Sequence, residues 1–347
     1  MSGVRQHFIP QFLQKGFRIP SNGKTVRCWV YEHTRAPRPA NIADVGLVRR
    51  FYAIQAETDL DDKITEAERE VYAPLIDRLR KGYTRPEDTS LIAEMLAHFE
   101  VRSRHVRENM GELFEEVTSQ IMSYLADPHI LGLLIDEHLT PESEMFRKAL
   151  APHGITLDQM QSILQHSQTT LKEALRPMTE RFAADITNAL PSFLPQINAI
   201  VKQSHVRIMS ESISPSARAA RLAVMHYSVK SFEPDNLPLG DSIVLFHVKG
   251  DRAFKPFLDK HDEVIHVVLP LSSNQYLLGS AAGAVGDLNY DLVEQVARCS
   301  MRYFISCSDQ MSDLQEKIGS NSRWISQAET QSLMADVIKE MLPKSII

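Results

Sequence analysis

Three cysteines in 347 residues, Cys28, Cys299 and Cys307, are odd in number and widely spaced. No Cys-x-x-Cys pair occurs, so a disulfide framework and a zinc ribbon are both excluded as expectations. Glycine is scarce, at 14 residues, and aromatics make up 7%. Both values are low for an all-β protein and fit a helix-rich one. No run of about eighteen apolar residues appears, so no transmembrane helix is expected. The opening Met1-Ser2-Gly3-Val4-Arg5-Gln6-His7 lacks an apolar signal core. A soluble cytoplasmic protein in a reducing compartment is the resulting expectation. An excess of positive charge is missing too: 38 Lys and Arg face 44 Asp and Glu, for a net charge of -6. That balance argues against a whole-surface nucleic-acid binder but leaves room for a local basic patch.

What is present is a hydrophobic fraction of 43%, enough for a substantial core. Residues 25–32 are β-branched and aromatic and follow the turn signal Ser21-Asn22-Gly23, which predicts a strand. Residues 51–53 suggest a second short strand. Residues 64–81 have helical spacing and stop at Gly82, and Pro86 opens a helix expected to run to about Leu125. Further helices are predicted over 128–137, 141–150, 157–175, 177–189, 191–211 and 215–229, several of them beginning at prolines. Strands follow over 242–248, 264–271 and 275–278, then helices over 289–306 and 328–342. The class expected is α+β: a large helical region (59–231) and a small mixed sheet from N-terminal and C-terminal segments (1–58 and 232–310). A helical tail follows over 311–347. One composite domain is expected, with the helical region inserted in the sheet domain or set apart from it.

Several short blocks, in order, resemble one family. They are His7-Phe8-Ile9-Pro10 with Leu13 and Phe17, Cys28-Trp29-Val30-Tyr31, Arg102-Ser103 with Arg107, Gly240-Asp241-Ser242, Leu269-Pro270-Leu271-Ser272 and Asn289. Together these are similar to the uncharacterised "domain of unknown function 4238" proteins. Ser242-Ile243 stands where that family usually has Asn-Pro. The resemblance implies an architecture, a structural role for Pro10, Ser242 and Asn289, and no specific activity.

The candidate site residues divide between chemistry and structure. His7, just before a short helical turn, is a general base or ligand, or else a hydrogen-bond centre for a nearby carbonyl. At about 100° per residue, Arg102 and Arg107 fall on opposite edges of the apolar stripe of their helix, with His98 and His105 on the Arg102 flank. An arginine at a core edge needs a partner. Either Arg102 meets an internal acid, or Arg102, Arg107 and His105 bind an anionic substrate through paired hydrogen bonds. Asp241, at a strand mouth, is a catalytic carboxylate or a turn cap. Glu66 and Glu70 share a helix face from which Glu68 points away, and a solvated acidic face is expected there. The spacing Arg221 to His226 and the loop 279–286 match ribonuclease and phosphate-loop patterns too loosely to carry a function. No metal site and no cofactor are expected.

Two functions survive. One is a binding or regulatory protein with a protein partner, for instance a bacterial defence component. The alternative is an enzyme acting on a phosphate-containing substrate, a nuclease or phosphohydrolase. In that case Arg102 and Arg107 would hold the anion and His7 or Asp241 would act as base.

Overall fold

The structure, a computed structural model, describes residues 5–21, 23–49, 51–52, 59–138, 148, 154, 156–250, 252–284, 288, 290–325 and 327–341. The fold is α+β. The chain forms two compact units. Met1–Met110 with Val201–Trp324 makes the first, and Gly111–Ile200 with Ile325–Ile347 the second. No described helix is long and apolar enough to cross a membrane.

All the described strands belong to the first unit. β1 (Arg5–His7) pairs with β4 (Leu47–Arg49). β2 (Arg27–Glu32) turns through His33-Thr34 into β3 (Arg35–Asn41). β5 (His226–Ser231), β6 (Leu239–Gly240), β7 (Leu245–Val248), β8 (Phe254–Lys255), β9 (Val264–Ser272), β10 (Gln275–Ser280) and β11 (Tyr303–Ser306) follow. The sheet orders are β1-β4, β5-β10-β9-β7-β8 and β3-β2-β11-β6, and every described pairing is antiparallel. Three antiparallel sheets therefore stand where one mixed sheet was expected. The four-stranded sheet does join N-terminal and C-terminal segments: Phe304 of β11 faces Tyr31 of β2, their rings stacked at 4.8 Å. β9 is apolar because it is central. Its Pro270 lies beyond the stretch that pairs with β7, where a missing N–H costs no ladder bond.

The helices depart from the periodicity at identifiable points. α1 (Gln11–Gln14) is a single turn. α2 (Asp59–Ala67) passes through a π-helical stretch, Glu68–Tyr72, into α3 (Ala73–Arg80). Pro74, which has no N–H to return to the preceding turn, lies just past that stretch. The helix expected from Pro86 to Leu125 is broken into α4 (Thr89–Arg102) and α5 (Arg104–Leu125). At the break Ser103 is extended and its hydroxyl donates to Glu100 O at 2.9 Å, an alternative to helical bonding. The three helices expected between residues 157 and 211 are one, Leu157–Glu211, running through Pro177, Pro191 and Pro195. The helix expected over 215–229 ends at Ala223 and gives way to β5, and that expected over 289–306 spans Leu292–Cys299 and gives way to β11. β-branched and aromatic residues at both ends decide for strand. Of the strand expected at 51–53, residues 51 and 52 are described and form a bend, the nearest strand being β4, and of the helix expected at 141–150 only Lys148, which is helical, is among the described residues.

The second unit is helical among its described residues. It holds α6 (Pro128–His138), much of the helix Leu157–Glu211, the helix Gln327–Met341 and α5 from Gly111 onward. Asn198 donates to Glu115 there.

Candidate functional site

The N-terminal motif is a knot of main-chain contacts. Pro10 caps α1, and its carbonyl accepts from Leu13 N and Gln14 N, each at 3.1 Å. Phe8 N and Ile9 N donate to Gly46 O, and the Gln14 side-chain amide donates to Ile9 O at 2.9 Å and Val45 O at 3.1 Å. His7 lies on β1 beside this loop. Its Nδ1 is 3.1 Å from Val45 O, and its Nε2 is 2.9 Å from the Gln11 amide nitrogen. Those partners assign Nδ1–H as donor and Nε2 as acceptor, the neutral imidazole.

The His7 carbonyl leads to Arg102. That guanidinium donates to His7 O, to the Tyr52 hydroxyl from Nε at 3.1 Å and to His98 Nε2 from Nη1 at 3.3 Å, and it forms an ion pair with Glu68. Arg102 is 1% exposed. His98 Nδ1 donates to Ile213 O at 2.7 Å, which leaves Nε2 free to accept. Burial lowers the His98 pKa to about 4. The π-helical stretch begins at Glu68, while Glu66 and Glu70 stay outside the network. Arg107 joins through the neighbouring aromatics: its Nη2 donates to Phe51 O at 2.7 Å and to His205 Nδ1 at 3.0 Å, and the guanidinium carbon lies 3.8 Å from the Phe51 ring centroid. Burial pulls its pKa down to about 10. Burial first, then the Arg107 charge, lowers His205 to about 4. His7, Arg102 and Arg107 are thus linked through Phe51 and Tyr52. Sequence reasoning had no signal for Tyr52, Phe51 or His205. For Glu68, the signal was its opposition to Glu66 and Glu70 on the helix.

Asp241 belongs to a second cluster that shares no partner with Arg102. Oδ1 accepts from Met301 N at 2.7 Å and Oδ2 from Arg302 N at 2.9 Å, which fastens the entry to β11. The His105 ring lies 3.8 Å away and is set against the Cys299 backbone. Burial raises Asp241 to about 7 against the lowering effect of the backbone N–H groups, and burial lowers His105 to about 3. Both side chains are sealed from solvent. Ser242 is buried with no hydrogen-bond partner on its hydroxyl, and Ile243 has φ 67°, a left-handed conformation costly for a β-branched residue. Asn289 lies outside the described residues, as do residues 285–287 of the glycine-rich loop. Arg221 donates to Asp259 O and Asp262 O, and His226 opens β5, so the two share no helix.

A water-accessible cleft of about 560 Å³ opens elsewhere in the first unit, lined by Lys63, Glu66, Glu70, Val71, Ser210 and Glu211. Of the residues weighed from the sequence, Glu66 and Glu70 line it, and His7, Arg102, His105, Arg107 and Asp241 do not. Among the described residues no group of three or more His, Cys, Asp or Glu side chains is placed to hold a metal ion. The clusters can hold charge internally. Neither cluster lines that cleft.

A family model described as a protein of unknown function, DUF4238, matches residues 5–283. The chain belongs to that family. No curated protein and no solved structure matches it.

Proposed function

We propose that this DUF4238 protein is a binding or regulatory protein, in which the polar residues of the family-like blocks lock the first unit together and a protein partner is met elsewhere. The observation that supports this reading is the saturation of Arg102. At 1% exposure its guanidinium is occupied by Glu68, Tyr52, His98 and the His7 carbonyl. A guanidinium held this way has no free face for a phosphate, and breaking such a pair to admit one would leave Glu68 uncompensated. The His7 ring is likewise engaged by Val45 and Gln11. An open acidic cleft with no catalytic constellation suits recognition better than turnover.

The test separates the two classes. His7→Ala removes the contacts to Val45 O and Gln11, each worth about 0.5–1.5 kcal/mol. It is expected to lower the melting temperature by several degrees. The purified wild-type chain is expected to release no product from a panel of phosphomonoesters, phosphodiesters and single-stranded RNA. Turnover that vanishes in His7→Ala or Arg107→Gln while the melting temperature holds would replace this reading with the phosphate-directed enzyme.

A further inference from the structure

Two segments of the first unit concentrate positive charge. Residues 15–27 and 78–85 together carry eight Lys and Arg and no Asp or Glu, in a chain whose net charge is -6. The fold brings the two segments together. Arg80, at the end of α3, donates to Phe12 O at 3.0 Å, Leu13 O at 2.9 Å and Leu271 O at 2.7 Å. A Cβ on Gly16 would lie 2.2 Å from Leu271 O and 2.6 Å from the same guanidinium, so glycine is what admits the contact. Lys15 and Lys81 each lie one residue from it. Ile19 N donates to Arg27 O at 2.8 Å, which sets Arg18 beside Arg27. Gly82 N donates to Leu79 O at 2.8 Å and Tyr83 N to Arg78 O at 3.3 Å, folding the turn back on the end of α3.

Two of the eight cations are occupied: Arg80 holds those carbonyls, and Arg78 pairs with Asp88 at 2.9 Å. Lys15, Arg18, Lys24, Arg27, Lys81 and Arg85 are exposed and, among the described residues, form no ion pair. The exposed acids flanking them are Asp77, whose carboxylate lies 3.9 Å from Arg80, and Glu87. Tyr83 stands between Lys81 and Arg85 at 64% exposure.

We infer that this face binds single-stranded nucleic acid, the six cations meeting phosphates and the Tyr83 ring stacking on a base. The inference goes beyond the proposed function, and its failure leaves that reading untouched. Charge and ring together select the occupant. Six unpaired cations complement a polyanion, and the acidic balance of the rest of the chain confines a polyanion to this face. An exposed aromatic ring on a basic surface is a stacking platform for an unpaired base, whereas a duplex keeps its bases inside the stack. A lipid surface calls for several large apolar side chains beside the cations. In these two segments Tyr83 alone is large, apolar and exposed among the described residues.

Fluorescence anisotropy of a labelled single strand of about sixteen nucleotides, titrated with the full chain at about 50 mM salt, should show saturable binding. The logarithm of affinity should fall with the logarithm of salt at a slope of about -4, from about -0.7 per phosphate neutralised. Lys81→Gln with Arg85→Gln should make that slope about 1.4 shallower. Tyr83→Ala should weaken binding by about 5- to 150-fold. Both variants should keep the melting temperature, since the side chains are exposed. Lys249→Gln with Lys260→Gln removes two cations from the opposite end of β9 and should change neither affinity nor slope. A strand that stays unbound at about 50 mM salt overturns the inference. So does an equal loss in the Lys249, Lys260 pair, which would mean diffuse attraction. Duplex bound as tightly as single strand overturns the stacking assignment. Displacement of the strand by polyglutamate at equal charge gives the face to acidic protein segments instead, and displacement by anionic phospholipid vesicles gives it to a lipid surface.

Discussion

Arg102 and its neighbours show what burial does to each kind of ionisable group, and the consequence is measurable in pH. His98 and His205 fall to about 4 and His105 to about 3, in each case first through burial. An unfolded histidine titrates near ~6.5. Between about pH 4 and 6.5 the unfolded chain therefore binds more protons at these positions than the folded one, and stability rises with pH. Their contribution is complete above about 6.5 and is lost as pH falls. Asp241 acts in the opposite sense. Its pKa is raised to about 7, so the folded state holds a proton that the unfolded state has released, and stability falls as pH climbs from about 4 to 7. Glu100, raised by burial despite Arg218, adds to that slope, and His247 and His266, both lowered, add to the first. The histidines outnumber the carboxylates. The urea midpoint is expected to rise from pH 4.5 to 6.5, and to rise more steeply in Asp241→Asn. A midpoint that falls over that interval would show that the acids dominate.

At the scale of elements, the left-handed glycines separate conformation from space. Gly46 has φ +69°, and a Cβ there would lie 2.7 Å from the Ile9 Cβ; Gly82 has φ +80° with nothing within 4 Å. Alanine at either position incurs the left-handed penalty of about 1–2 kcal/mol. At Gly46 it also pushes apart the loop whose carbonyl accepts from Phe8 and Ile9. Gly46→Ala is expected to lower the denaturant midpoint clearly more than Gly82→Ala, and equal losses would mean that the loop yields. Gly82 was legible in the sequence as a helix stop because its cause is local. β2, β9 and β10 were legible for the same reason, their apolar runs being bounded by turn residues. The break at Ser103 was not legible, because Ser103 interrupts no periodicity and bonds back to Glu100. β3 was hidden by Pro37 and Pro39, which an edge strand tolerates and a pattern search penalises.

At the scale of the whole chain, the site was only half legible, since its partners come from distant segments. Arg102 could be seen to need a partner, but its meeting with Glu68 depends on a π-helical stretch, and its meeting with the His7 carbonyl depends on how β1 lies. Asp241 could be read as a cap, but the N–H groups it holds belong to Met301 and Arg302, about sixty residues onward. The same long reach makes a prediction about what counts as a folding unit. The family match ends at residue 283, yet β11 at Tyr303–Ser306 lies between β2 and β6 in the sheet. A chain cut after residue 290 loses that strand and the helix Leu292–Cys299. Tyr31 loses its stacked Phe304, and buried Asp241 loses both of its N–H donors. A chain cut after residue 324 keeps every segment of the first unit. Hydrogen exchange is expected to find the β2 amides protected in the longer chain as in the full protein, and unprotected or aggregated in the shorter one. Protection of β2 in the shorter chain would mean that residues 5–283 fold without their closing strand. The sheet order and the buried carboxylate at its edge both argue against that outcome.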